Sequence, residues 1–144
     1  MIRQANRYDK TQIINLIKDC YLEMQFETKV SLDNEQYWNQ LLDQVFAGRG
    51  VIFIKDNVGL VFAMFNSTIW CPKTLVLHCL AWVVKPEYRN KTIAYRLLKT
   101  YIDYADKLKD EGRIQYYTLN KTTKTPNMNY QKLGFRKADE VWVR

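Results

Sequence analysis

The sequence predicts an α/β fold, a mixed and mostly antiparallel sheet flanked by helices, on the strength of three observations. Strand-like runs and stretches of helical apolar spacing follow one another in the order β-α-α-β-β-β-α-β-α-β(-β). The longest coherent stretch, Val76 to Tyr101, passes from a buried strand through a proline turn into an amphipathic helix. No internal repeat or linker interrupts the pattern, so residues 1–144 read as one domain, long enough to bury a core without staples.

Taken in order, Ile2–Ala5 is a short strand. Asp9 with Gln12 three residues on has the form of a capping box and opens a helix carrying Ile13, Leu16, Ile17, Cys20, Tyr21 and Met24 on one face. Ser31 caps a second helix, with Asp33 and Glu35 in its first turn, a buried stripe of Trp38, Leu41, Leu42, Val45 and Phe46, and Gly48 and Gly50 at its end. Val51–Lys55 and Val58–Phe65 are strands joined by Asp56-Asn57, and Gly59 marks a close backbone approach. Asn66–Thr74 is a loop. The central strand, Val76–Val84, stops at Lys85-Pro86, because proline cannot donate to a ladder and biases its predecessor to an extended shape. From Ile93 the apolar positions Ala94, Leu97, Leu98, Tyr101, Ala105 and Leu108 define a helix that Lys107, Lys109 and Gly112 close. Ile114–Leu119 is a further strand. Thr125-Pro126 starts a short helix ending at Gly134, and Phe135–Ala138 and Val141–Val143 are closing strands.

Composition narrows the class. A hydrophobic content of 47% with 26% charged residues places the chain among globular rather than disordered proteins. No apolar run approaches the ~20 residues of a bilayer span, and the first residues lack an apolar signal segment. Three cysteines with no C-x-x-C pair fit reduced thiols in a cytoplasmic compartment, and one histidine rules out a histidine-rich metal site, so no metal is expected. The net charge of +7 calls for acidic partners. It is spread along the chain rather than gathered in a stripe, which disfavours nucleic acid without eliminating it.

Charge is concentrated oddly in one place. Lys85, Arg89 and Lys91 crowd the start of the long helix, the end that already carries about half a positive charge. Three cations beside unpaired backbone N–H groups make an anion site suited to phosphate, where a solvated basic turn is the plainer reading. No G-x-x-x-x-G-K-[ST] and no G-x-G-x-x-G accompanies it.

The same stretch, V84-x-P-x-x-R89-x-x-T92-x-A94 followed by Leu97-Leu98, resembles the acyl-CoA loop of the GNAT family of N-acetyltransferases, V-x-P-x-x-[RQ]-x-x-G-x-[GA]. Tyr130-Gln131-Lys132-Leu133-Gly134-Phe135 is similar to the family's Y-x-K-x-G-F, and the wording from Trp82 to Arg89 to phage-type members. The resemblance covers nearly the whole chain. It implies the GNAT-like acyl-CoA N-acyltransferase fold, acetyl-CoA as co-substrate and a primary amine on a small molecule or protein as acceptor; exposed closing strands commonly pair in the family, which leaves a homodimer open, while the lack of an apolar span argues for no membrane partner. A phage-encoded member would act in the host cytoplasm.

Acyl transfer from a thioester to an amine needs the phosphates held, the carbonyl oriented, the amine deprotonated and the thiolate reprotonated. The resemblance assigns phosphate holding to Arg89, Asn90, Lys91, Thr92, Ile93 and Ala94, and pantetheine pairing to the backbone of Trp82, Val83 and Val84. Thr92 stands where the family has glycine, so the loop must keep a negative φ there or the hydroxyl must bond a phosphate or cap the helix. Tyr130 matches the family's acid, with packing of the last helix as its plain alternative. Alternation along the strand puts His78, Leu80, Trp82 and Val84 on one face and Cys79 on the other. Histidine, with an ordinary pKa near ~6.5, suits a base, and a structural hydrogen bond is the competing reading for His78. The loops Met24–Val30, Asn66–Thr74 and Asn120–Lys124 would line the acceptor site. A second function class keeps the fold without catalysis, as a degenerate domain that binds protein or nucleic acid through its basic and aromatic surface.

Overall fold

A computed structural model of the chain describes residues 1–24, 31–89, 92–120, 127–142 and 144. Five strands form one sheet in the order β1-β2-β3-β4-β5, namely β1 (Arg3–Gln4), β2 (Gly50–Lys55), β3 (Gly59–Ser67), β4 (Leu75–Val84) and β5 (Tyr117–Thr118). The first four pair antiparallel, and β4 pairs with β5 in parallel. Helices α1 (Lys10–Met24) and α2 (Glu35–Gln44) cover one face, and α3 (Ile93–Asp110) covers the other.

The two faces follow from the period of two in β2 and β3. Val51, Phe53, Val61 and Ala63 point toward Leu98, Tyr101 and Ala105 of α3. Their neighbours Ile52, Ile54, Leu60 and Phe62 point toward Ile13, Leu16, Leu42 and Val45. The positions α3 buries, among them Ala94, Leu97, Leu98, Tyr101, Ala105 and Leu108, are those its spacing predicts. Gly112, at φ +73°, ends α3 in the left-handed conformation that glycine adopts without steric cost. The β2–β3 turn is held by the Val58 N–H donating to the Lys55 carbonyl at 2.9 Å, with Asn57 at φ 59°.

Gly59 has a different reason to be glycine. A Cβ there would lie 2.5 Å from the Val83 carbonyl oxygen and 3.1 Å from Val84 Cα. The missing side chain lets β3 press against the last residues of β4, where the chain turns toward α3.

Several expected boundaries move. The first helix is capped by Asn6 rather than Asp9: the Asn6 side chain accepts from the Tyr8 N–H, and Asp9 completes the box by accepting from the Asn6 N–H at 2.8 Å. Ser31 makes a local turn, its hydroxyl accepting from the Asp33 N–H, and Asn34 takes the cap position of α2 without a side-chain cap bond. The strand expected over Ile114–Leu119 pairs in the ladder only at Tyr117 and Thr118. Residues 127–134 hold turns rather than a helix, with the Leu133 N–H bonded to the Tyr130 carbonyl and Gly134 at φ +96°. Neither closing strand forms among the described residues. Val141 and Trp142 stand 90% and 85% exposed, and no strand among the described residues pairs with them to satisfy their backbone groups. Thr125, Pro126 and Val143 lie outside the described residues.

Asp9 anchors the start of α1. Its carboxylate takes both guanidinium nitrogens of Arg3 at 2.8 Å and the Gln12 amide at 3.0 Å, and it is 6% exposed. The Arg3 guanidinium holds the carboxyl at about 2, below its ordinary 3.8. A depressed folded-state pKa contributes stability that is complete above about pH 4 and fades as the pH falls toward 2. Asp9→Asn should therefore cost about 2 kcal/mol at neutral pH, since buried donors lose their charged acceptor. It should also flatten the acid limb of a denaturant-midpoint-versus-pH curve. An unchanged midpoint at pH 7 would show that the carboxylate is not an anchor.

Candidate active site

The two edges of β4 are used unequally. Along one edge β4 pairs with β3 from Leu75 to Val84. Along the other it meets β5 only at Leu77↔Tyr117 and His78↔Thr118, with flanking bonds from the Gln115 N–H to the Leu75 carbonyl and from the Leu77 N–H to the Tyr116 carbonyl. Beyond His78, no strand among the described residues pairs with that edge. The β4 edge from Cys79 to Val84 therefore has no strand partner among the described residues as the chain approaches α3.

The site's side chains are sorted by a bulge that the sequence pattern conceals. The β3–β4 register passes from Ala63↔Cys79 to Phe62↔Ala81, so Leu80 is an extra residue on β4. Alternation therefore restarts, and His78, Trp82 and Val84 do not share a face as expected. His78 lies opposite Met64, which packs toward α1 and α2. Trp82 lies opposite Val61 and packs with the α3 core. Leu80 itself is 49% exposed.

His78 sits at the last β4–β5 pair, where the free edge begins. Its Nδ1 is 3.1 Å from the Thr118 hydroxyl, and its ring meets Tyr116 edge to face with centroids 6.5 Å apart. On the opposite face the Trp82 indole N–H donates to the Ala94 carbonyl at 3.2 Å, and the Trp82 ring stands perpendicular to Tyr130 with centroids 6.3 Å apart. Burial raises the Tyr130 pKa, so its phenol keeps its proton across the neutral range. Cys79 is on the face away from His78 and buried, and burial pushes its thiol up to about 12, which fits packing rather than nucleophilic chemistry. The Tyr101 hydroxyl donates to the Thr118 carbonyl at 2.8 Å and ties β5 to α3 where pairing stops.

The turn after β4 differs from a simple cluster of cations. Arg89 donates through Nε to the Val84 carbonyl at 2.9 Å, and both terminal nitrogens pair with the Glu23 carboxylate on the last turn of α1. This carboxylate raises the Arg89 pKa and offsets the charge expected to meet a phosphate. Thr92 adopts φ −77°, so the β-branched residue at the usual glycine position carries no left-handed strain, and it precedes α3 without a side-chain cap bond. Val84, Ile93 and Ala94 are buried together, which leaves their backbone rather than their side chains to face a ligand. Asn90 and Lys91 lie outside the described residues, as do most of the 24–30 and 120–124 loops.

Glu23 escaped the sequence reading, although a signal existed. It lies seven residues after Leu16 and three after Cys20, on the stripe that α1 turns to the sheet, where a carboxylate needs a cation. Thr118 and the bulge at Leu80 carry no such signal. Because both partners are about a third exposed, Glu23→Gln should cost only about 1 kcal/mol, or roughly 3 °C in Tm. Amide hydrogen exchange should rise in the last turn of α1. Unchanged exchange there would mean that the pair does not hold the helix end.

A search of curated protein sequences finds no match. Solved structures resemble the chain at the level of fold. A predicted acetyltransferase from Clostridium acetobutylicum, solved with acetyl-CoA, superposes with a TM-score of 0.75 at 18% identity, covering 100% of this chain and 94% of its own. An acetyltransferase from Trypanosoma brucei gives 0.66 at 21% identity, with 100% and 96% covered. Glucosamine-6-phosphate N-acetyltransferase from Arabidopsis thaliana gives 0.68 at 15%, again with 100% and 96% covered. The model of the acetyltransferase (GNAT) family matches residues 8–135, which include β2 to β5, α3 and the Tyr130 turn, and the chain belongs to that family.

Proposed function

We propose that this chain is an acetyl-CoA-dependent N-acetyltransferase acting on a primary amine of a small molecule or protein. The observation that carries the reading is the edge of β4 left without a strand partner, among the described residues, from beyond His78 to the turn before α3. Acetyl-CoA supplies the activated thioester carbonyl. The open edge of β4 from Trp82 to Val84 offers backbone groups to the pantetheine amides, as a missing strand would. The backbone N–H groups from Thr92 to Ala94 face the diphosphate at the positive end of α3. That the Clostridium acetobutylicum relative was solved with acetyl-CoA supports the same use of the fold.

Roles for the two candidate side chains follow from their placement. His78 faces the α1–α2 side and takes the proton of the attacking amine, directly or through water, while Thr118 fixes the ring through Nδ1. Tyr130, on the α3 side, gives its proton to the departing thiolate as the C–S bond breaks and the C–N bond forms. Acid and base on opposite faces of one sheet suit a reaction in which the amine enters from one side and the thiol leaves by the other. Arg89 has a positioning role, joining the end of α1 to the turn through Glu23.

Release of free thiol from acetyl-CoA with a panel of amines tests the reading. Tyr130→Phe should lower kcat about 100-fold, the usual size of a lost proton transfer, with the KM for acetyl-CoA nearly unchanged. No turnover with any amine, or turnover indifferent to Tyr130, would overturn it. A thermal shift with coenzyme A but no turnover would instead identify a binding module on the same fold.

A further inference from the structure

The hairpin of β3 and β4 outruns the strand beside it: β2 stops pairing at Met64, whereas β3 and β4 stay paired as far as Ser67↔Leu75. Residues 68–74 close it, and that turn is braced from within. The Thr68 N–H donates to the Thr74 carbonyl at 3.1 Å, the Thr74 N–H to the Cys71 carbonyl at 3.2 Å, and the Ser67 hydroxyl to the Pro72 carbonyl at 3.0 Å. The Cys71 N–H donates to the Thr68 hydroxyl at 3.1 Å, and that hydroxyl donates to the Cys71 carbonyl. At the tip Ile69 and Trp70 stand 88% and 87% exposed. Single apolar side chains on a surface need no explanation, but an adjacent pair on a braced tip does. The charge around it has one sign. From Asn57 to Pro86 the chain has no Asp or Glu, while Lys73, three residues after Trp70, has no carboxylate partner among the described residues.

We propose that Ile69 and Trp70 anchor a docking site for an acidic, extended polypeptide segment of a partner protein. Side chains this exposed enclose nothing, so a small molecule would keep most of its surface in water, whereas a polypeptide can wrap both. Tryptophan is prominent among the residues that dominate binding energy, and a braced turn has little freedom left to lose on docking. An acidic segment pairs with Lys73 and meets no carboxylate along the hairpin. A second copy of this chain would bring the same net charge of +7 and the same acid-free hairpin, so like charge opposes self-association through the tip. The site stands on the hairpin alone and does not depend on the catalytic reading.

The probe is a displayed library of short random peptides, selected on the full chain and counter-selected on Trp70→Ala. Peptides that combine Asp or Glu with apolar residues should be enriched. In anisotropy titrations of the labelled peptides, Trp70→Ala should weaken binding about ten-fold or more. Lys73→Gln should weaken it about three-fold, and added salt should narrow the gap between that variant and the unaltered chain. Both side chains are exposed, so an unchanged Tm is the control for folding. Enriched peptides without acidic residues, or binding indifferent to Trp70→Ala, would overturn the proposal. So would a dimer in sedimentation that Trp70→Ala disperses, or Trp70-dependent binding to phosphatidylserine vesicles, since each gives the tip a different occupant.

Discussion

The molecule depends on how far β4 is bonded on each side. A strand hydrogen-bonded on both edges is closed to ligands, and one free on an edge invites pairing with another chain. Here β3 bonds β4 along its length, while β5 leaves after two residues. The rest of that edge has no strand partner among the described residues, and under the proposed function its unpaired groups are the ones that serve a ligand.

Holding that edge open takes rigid support, and the structure supplies it from three directions. Gly59 brings β3 against Val83 and Val84, fixing the end of β4 from behind. The Tyr101 hydroxyl, bonded to the Thr118 carbonyl, pins β5 to α3 at the point of separation. Arg89 closes the far end by joining the Val84 carbonyl to Glu23 and thus to α1. Trp82 links the strand to the first turn of α3 and presents its ring to Tyr130. The bulge at Leu80 then places His78 and Trp82 on opposite faces, so the strand carries one chemical group toward each side of the sheet.

Much of this was legible in the residues and some was not. Helical spacing from Ile93 to Leu108 and alternation in β2 and β3 gave the layers, because burial enforces those periods. Pro86 marked the end of β4, and Gly59 the close approach. The bulge left no trace, since Leu77 to Val84 is apolar on both faces except for His78, and an inserted residue does not disturb such a pattern. The charge cluster at Lys85, Arg89 and Lys91 was visible, but the partner of Arg89 lies 66 residues away, a pairing only the fold creates. Thr92 looked like an obstacle because the family's glycine suggests a positive φ, and the chain turns there with a negative one. The closing strands were expected from composition alone. Val141 and Trp142 have strand-forming side chains but no paired edge among the described residues, and propensity without a partner does not make a strand.

The central claim is that the open edge of β4 is where the acyl carrier lies. Hydrogen exchange of the β4 amides, measured with and without saturating coenzyme A, tests it most directly. The account predicts that amides between Leu80 and Val84 not paired with β3 slow by about ten-fold or more on binding, while those from Leu75 to His78 change little. Protection that leaves Leu80 to Val84 unchanged while coenzyme A demonstrably binds would contradict it.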